Sequence, residues 1–209
     1  MRLTKLGRRF FFLPVLFLIL SFAQSGFATP IFTLGNNPQS DEQNILFSSD
    51  QQGSTITGIT NKSNTLVDFS STTDTLVVTA SGQANVTALD EFINDITISL
   101  PGGGTYLDLI INPNDHDASA LITVTTSIAV GTYNYILGNG QNFLTITVSA
   151  VGETILSTNI SSVAGFDALK QPRISGVSGG ETVVPEPASL LLLGTGLSAI
   201  GLAAWRRRK

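Results

Sequence analysis

The chain has 209 residues, 42% hydrophobic and 12% charged, with no cysteine, one histidine and a formal net charge of -4. That length fits one domain, or one domain with appended segments. The lack of cysteine excludes a disulfide scaffold, a thiolate zinc site and a thiol nucleophile. Charge is unevenly laid out. Arg2, Lys5, Arg8 and Arg9 open the chain, Arg206, Arg207, Arg208 and Lys209 close it, and all 15 acids lie between Asp41 and Glu186. Residues 29–187 hold 3 basic and 15 acidic side chains, a net of -12 on that count. This argues against nucleic acid as a partner, because binding phosphates needs clustered Lys and Arg.

The N-terminus reads as a secretory signal. A basic segment, Met1–Arg9, precedes the apolar run Phe10–Leu20, which is 11 residues long and interrupted by Pro14. A spanning helix needs about 17–25 residues, so this run is too short, and small residues follow it. Gly26-Phe27-Ala28 places small side chains at the -3 and -1 positions of a cut after Ala28. Ser21-Phe22-Ala23 and Ala23-Gln24-Ser25 are alternative cleavage sites, and an uncleaved anchor is the other reading of the segment. Export through the Sec translocon is the expectation.

From residue 29 onward the pattern is β almost throughout. Ile96–Leu100, Leu121–Thr126 and Leu144–Val148 alternate apolar and polar side chains, which turns one face to a core and the other to water. Asn44–Phe47, Ser54–Thr60, Leu66–Phe69, Thr75–Ala80 and Gln83–Leu89 are further candidate strands, as are Thr105–Ile111, Thr132–Leu137, Glu153–Ser157 and Arg173–Val177. Thr, Val and Ile dominate these runs, and turn signals such as Asn36-Asn37-Pro38, Ser81-Gly82, Asn112-Pro113-Asn114 and Gly138-Asn139-Gly140 separate them. Short strands at this spacing predict an all-β, antiparallel sandwich or jelly-roll-like domain. Val163–Lys170 is expected to form at most a short helical turn. Phe47, Phe69, Phe92, Tyr106, Phe143 and Phe166 are the expected core anchors.

Candidate chemistry in this middle region is sparse. Nucleophilic catalysis needs a base beside the nucleophile, yet the only histidine, His116, sits in a loop composition, and no Gly-x-Ser-x-Gly elbow occurs. Asn112, Asn114, Asp115 and Asp117 offer several oxygens within six residues, which makes them weak candidates for calcium. The glycine and closing glutamate of an EF-hand loop are missing, and an Asx-rich turn accounts for the same residues. A carboxylate pair for glycoside hydrolysis would be drawn from Asp90, Glu91, Asp95, Asp108 or Glu153. Tyr133 and Tyr135 fall on one strand face and form a candidate sugar-stacking surface, although core or edge packing is the commoner use of such a pair. No cofactor is implied.

The C-terminus has three parts in tight order: Val184-Pro185-Glu186-Pro187, an apolar run Ala188–Ala204, then Trp205 and the basic tail. The run of 17 residues is at the lower edge of what crosses a bilayer. Trp205 suits the interface, and the basic tail belongs on the cytoplasmic side by the positive-inside rule, which leaves residues 29–187 outside. Two prolines hold the Pro-Glu-Pro segment extended and out of helix or sheet, so it can either be read by a membrane-embedded enzyme or simply space the domain from the bilayer.

Val184–Lys209 resembles the PEP-CTERM sorting signal of exported Gram-negative proteins. The resemblance implies processing by exosortase, a membrane transpeptidase, with Pro185, Glu186 and Pro187 as the recognised residues and no catalytic residue of the chain's own. It also implies an association with the cell envelope and extracellular polysaccharide. Gly138–Ile146, Gly165-Phe166-Asp167 and Gln171–Gly176 resemble the end of an ectodomain recurrent in such proteins, which implies an all-β exported module. The expected organisation is a signal peptide over 1–28, an extracytoplasmic domain over 29–178 and a linker over 179–187, followed by a transmembrane helix over 188–205 and a cytoplasmic tail over 206–209. The expected role is that of a non-enzymatic cell-surface or matrix protein, anchored in the inner membrane until it is sorted. A carbohydrate-binding module is the alternative, and a glycan hydrolase a third reading.

Overall fold

The computed structural model describes residues 30–182, apart from residues 84, 115–118 and 139. The signal segment with Ala28, the Pro185-Glu186-Pro187 motif, the apolar segment 188–205 and the basic tail lie outside the described residues, as do Asp115, His116 and Asp117. Among the described residues no helix is long and apolar enough to cross a membrane.

The first half of the domain contains β1 (Ile31–Leu34), β2 (Gln43–Leu46), β3 (Gln51–Gly53), β4 (Thr55–Thr60) and β5 (Leu66–Ser70). After these come β6 (Leu76–Val78), β7 (Thr87–Ala88), β8 (Ile93–Ser99) and β9 (Asp108–Asn114). The series closes with β10 (Ser119–Thr126), β11 (Val130–Ile136), β12 (Leu144–Thr147), β13 (Ile155–Phe166) and β14 (Ala168–Ser175). The 3-10 turn Pro101–Gly103 is the helical element among the described residues. The helical turn expected over Val163–Lys170 is instead the end of β13, a one-residue link at Asp167 and the start of β14, which pairs with other strands. Gly165 there takes a left-handed φ of 79° and its flanks are claimed by strand partners: Phe166 pairs with Ile93, and Ala168 with Asn114.

Eleven of these strands form one antiparallel sheet in the order β1-β12-β9-β14-β2-β4-β5-β8-β13-β10-β11. The expected sandwich-like, all-β character holds, but its two faces are halves of a single sheet. Strand β2 joins them: Gln43 and Asn44 pair with β14, while Ile45 and Leu46 pair with β4. This corner needs close backbone approach, and Gly58 of β4 provides it, since a Cβ there would collide with the Ile45 side chain. The two sheet edges then face each other across a seam. Phe32 of β1 stacks on Tyr133 of β11 with centroids 5.1 Å apart and planes 14° apart, and Gly131 leaves room for the Pro30 ring. The result is a nearly closed barrel.

A second sheet, β3-β6-β7, is tied to the barrel by bridges Phe47–Gly82 and Val86–Leu169, and adds Leu76, Val78 and Val86 to the core. Period-two alternation supplies the rest. Strand β10 turns Ala120, Ile122 and Val124 inward, and its Ser and Thr neighbours lie on the other face. Each such Ile or Val contributes about 1.5–3 kcal/mol by leaving water. Of the expected anchors, Phe47, Phe69, Tyr106 and Phe166 are buried, whereas Phe92 is 42% exposed and Phe143 half-buried. Phe92 follows Glu91, whose φ of 84° ends a turn just before β8 and leaves the ring outside against Gly165.

Tyr106 ties the two halves of the barrel together. It precedes β9 in one half, yet its hydroxyl lies 3.0 Å from Thr158 Oγ1 of β13 and donates to the Ile98 carbonyl of β8 at 3.4 Å in the other. Burial pushes the hydroxyl's pKa far above its ordinary value, with the Thr158 contact opposing in part, so the group stays neutral and hydrogen-bonded. Tyr106→Phe is expected to cost about 1 kcal/mol and Tyr106→Ala about 4 kcal/mol. Urea unfolding of the domain checks both values; unchanged stability in Tyr106→Phe would mean that the hydroxyl contributes nothing.

Candidate functional site

The most elaborated surface lies where β9, β14 and β12 meet the loop between β1 and β2. That loop folds across the outer face of the sheet. The Asn37 N–H donates to Thr145 Oγ1 at 3.1 Å, and the Thr145 hydroxyl donates to the Gly35 carbonyl at 2.9 Å. Arg173 of β14 fastens the same loop from the other side: one guanidinium nitrogen donates to Glu42 Oε1 at 2.7 Å and another to Asn36 Oδ1 at 2.6 Å. Its guanidinium also sits over the Phe143 ring, 5.7 Å from the centroid. Beneath this cover, Asp108 is 2% exposed, and its Oδ1 finds no hydrogen-bond partner among the described residues. Burial, with the negative charge of Glu42 adding to it, pushes the Asp108 carboxyl up to about 7.

Beside the strap runs a groove made of two adjoining cavities of about 330 Å³ and 170 Å³, which share Gln83 and Gln171 as walls. A bulge in β14 creates the shared wall. Lys170 pairs with Asn112 and Arg173 with Ile110, so β14 spends one residue more than β9 over the same stretch. Gln171 takes up the extra length at a φ of 47°, a left-handed conformation that costs a non-glycine residue about 1–3 kcal/mol. Pro172 is buried and Gln171 exposed, so the bulge turns a long amide side chain out into the groove.

The opposite wall comes from the connection between β11 and β12. Asn142 accepts from the Gly138 N–H at 2.7 Å and donates to the Gly138 carbonyl at 2.9 Å, closing that loop on itself. The Asn142 N–H donates in turn to Asn112 Oδ1 at 2.7 Å, which anchors the loop to β9 and leaves Gln141 exposed at the rim. Gln83 and Asn85, flanking β7, complete the wall, and both are exposed. Among the described residues, none meets the side-chain amides of Gln83, Asn85, Gln141 or Gln171 in a hydrogen bond. The groove is thus rich in donors and acceptors. Chemically it suits a hydroxyl-rich ligand, since each amide offers both functions.

A wider cavity of about 550 Å³ lies at the other side, on the outer face of β8, β13 and β10, where residues 162–165 bulge from the β13–β8 ladder. Its lining is mainly small side chains and the exposed Val163, and Asn94 spends its amide on the Ser162 and Val163 carbonyls.

Tyr133 and Tyr135 do share one strand face, but that face is turned to the interior. Tyr135 is 8% exposed and donates to the Phe143 carbonyl at 3.3 Å, and one face of Tyr133 is covered by Phe32. Burial, with Tyr133 adding to it, pushes the Tyr135 hydroxyl's pKa up. The pair packs the barrel seam and presents no open platform. Asn112 and Asn114, expected in a loop, end β9 instead, and Asn114 donates to Asp167 at 3.2 Å. Asp115 and Asp117 lie outside the described residues, among which no three His, Asp or Glu side chains gather as a metal site. Of the acids weighed for hydrolysis, Asp95 and Glu153 hold structure, Asp108 is buried under the strap, and no two are brought together in a groove. Asp95 accepts from Thr72 and from Asn159, Glu153 caps the turn at Ser149 and Ala150, and Asp90 and Glu91 lie on the exposed turn after β7.

The groove residues carry no signal that composition alone reveals. Two of the segments singled out by resemblance, 138–146 and 171–176, nevertheless converge on it. Residues 183–209 match the family model of the PEP-CTERM protein-sorting motif. No curated protein and no solved structure matches the chain.

The Asp108 carboxyl has a checkable consequence. Its pKa is about 7 in the fold against 3.8 for the free group, so the folded state favours the protonated form. Stability is full below about pH 4 for this group and falls as pH rises to about 7. Asp108→Asn is expected to flatten that decline and to stabilise the domain at pH 8 by about 2–4 kcal/mol. Chemical unfolding across pH 4–8 is the check; a parallel decline in both proteins would contradict the assignment.

Proposed function

We propose that this chain is a non-enzymatic protein of the cell surface or extracellular matrix, carried out by the Sec route, held by its apolar segment 188–205 and then released at Pro185-Glu186-Pro187. The sorting motif at 183–209 makes it an exported protein sorted at the membrane by an exosortase-type enzyme. The observation that carries the wider reading is how close to the motif the strand pairing runs. Thr182 forms a bridge with Thr65, and the Leu66 N–H donates to the Glu181 carbonyl at 2.8 Å, so backbone pairing among the described residues reaches the residue before the sorting motif. Ser178 is likewise fixed, exchanging backbone hydrogen bonds with Thr105. Gly104 allows this approach, since a Cβ there would lie 2.6 Å from Gly180 Cα. Cutting within the motif therefore leaves every described strand pairing on its N-terminal side.

A non-enzymatic role is supported by the engagement of the acids in turns and loops, and by grooves lined with amides in place of a nucleophile and base. Mass spectrometry of the C-terminus of the surface-located protein tests the sorting step. The expected form lacks Arg206–Lys209 and ends near the Pro-Glu-Pro element. A surface protein that keeps the basic tail would overturn the proposal.

A further inference from the structure

The amide groove is a ligand site in its own right, and we propose that it binds a neutral polysaccharide strand. This deepens the reading of the chain as an exported surface protein and rests on it. Four amide side chains, Gln83, Asn85, Gln141 and Gln171, which meet no hydrogen-bond partner among the described residues, line one continuous depression, and each can both donate to and accept from a sugar hydroxyl. The half-buried Phe143 gives the adjoining cavity an apolar wall for the C–H face of a sugar ring, and its orientation is fixed by Arg173 above it. The groove is built into the frame at a cost. Gln171 holds a left-handed φ of 47° at the bulge, and that strain is what projects its amide between the two cavities.

Net charge works against polyanions at long range only: residues 29–187 carry 15 acids against 3 bases. Of those bases, Arg173 is already paired with Glu42, and Lys170 lines the groove, so the polyuronate probe tests whether the local cation outweighs the acidic domain. Being open at the surface and divided into two adjoining cavities, the groove suits a chain passing through better than a small enclosed molecule.

The test is titration calorimetry of the exported protein with three probes: a neutral glucan, a neutral mannan and a polyuronate. Residues 29–182 hold the whole core cluster and serve as the sample. Saturable binding of a neutral chain is expected, weakened about tenfold by the Gln141→Ala, Gln171→Gly double variant. Gln171→Gly alone also relieves the left-handed strain, so it is expected to weaken binding while keeping or raising the melting temperature. That combination separates a ligand contact from a structural role. Asn134→Ala, in the wider cavity, is expected to leave binding unchanged. The proposal fails if no neutral chain binds, if only the polyuronate binds, or if the groove variants bind like the parent. A C-terminus processed near Pro185–Pro187 with no glycan binding would sink this inference and leave the sorting reading standing.

Discussion

The structure turns on the position of β14 between β9 and β2. At Arg173 and Ile174 this strand pairs on both sides at once, with Ile110 and Leu109 of β9 and with Asn44 and Gln43 of β2. Without that double pairing the half of the sheet holding β1, β12 and β9 would lose its strand-to-strand continuity with the half that begins at β4, and the isolated Tyr106–Ile155 bridge alone would not restore it. The constraint also explains the bulge. β14 must keep register with β9 both before and after Gln171, and one extra residue is the smallest irregularity that reconciles the two stretches. Closure of the barrel and exposure of the Gln171 amide are two results of the same register.

Side chains reinforce what the register sets up. Tyr106 joins the two halves through the core, while Arg173 fastens the outside of one half by holding the strap to β14 beside the Phe143 ring. Burying charge under that strap has a cost, visible in the Asp108 carboxyl that ionises only near pH 7 beside Glu42. The Glu42–Arg173 pair, with side chains 12% and 16% exposed, offsets part of it by satisfying the other buried charges locally. In an acidic domain this arrangement leaves the neighbouring groove without a carboxylate among its walls. Sorting and binding thus sit on separate parts of one chain: the motif follows Thr182 immediately, and the groove depends on β9, β14 and the loops around them.

Period-two alternation made most strands legible, because runs such as Ile122–Thr125 and Leu144–Thr147 alternate apolar and polar residues. It missed β1 and β3, which lie at edges and bury little. The stretch 163–170 was misjudged because its pairing with β8 and β9 is long-range, and local propensity cannot register partners that lie 50 or more residues away. The same limit applies to Tyr133 and Tyr135. Their shared face was readable, but which way it points depends on Phe32, about a hundred residues earlier in the chain. The groove was least legible of all. Its four exposed amides come from three separate segments, and the feature that unites them, a glutamine held at positive φ, leaves no mark on sequence. The sorting tag was fully readable because its parts are contiguous.

On the proposed reading, the exposed amides at the β14 bulge are the working surface of the exported domain. Side-chain amide NMR resonances report on that claim directly, since each Asn and Gln NH2 pair gives its own signals. Titrating a neutral oligosaccharide into the domain should shift the Gln83, Asn85, Gln141 and Gln171 pairs together, with one saturation curve. Shifts confined to Asn94 and Asn134 of the wider cavity, or no shift among the groove amides at saturating sugar, would contradict it.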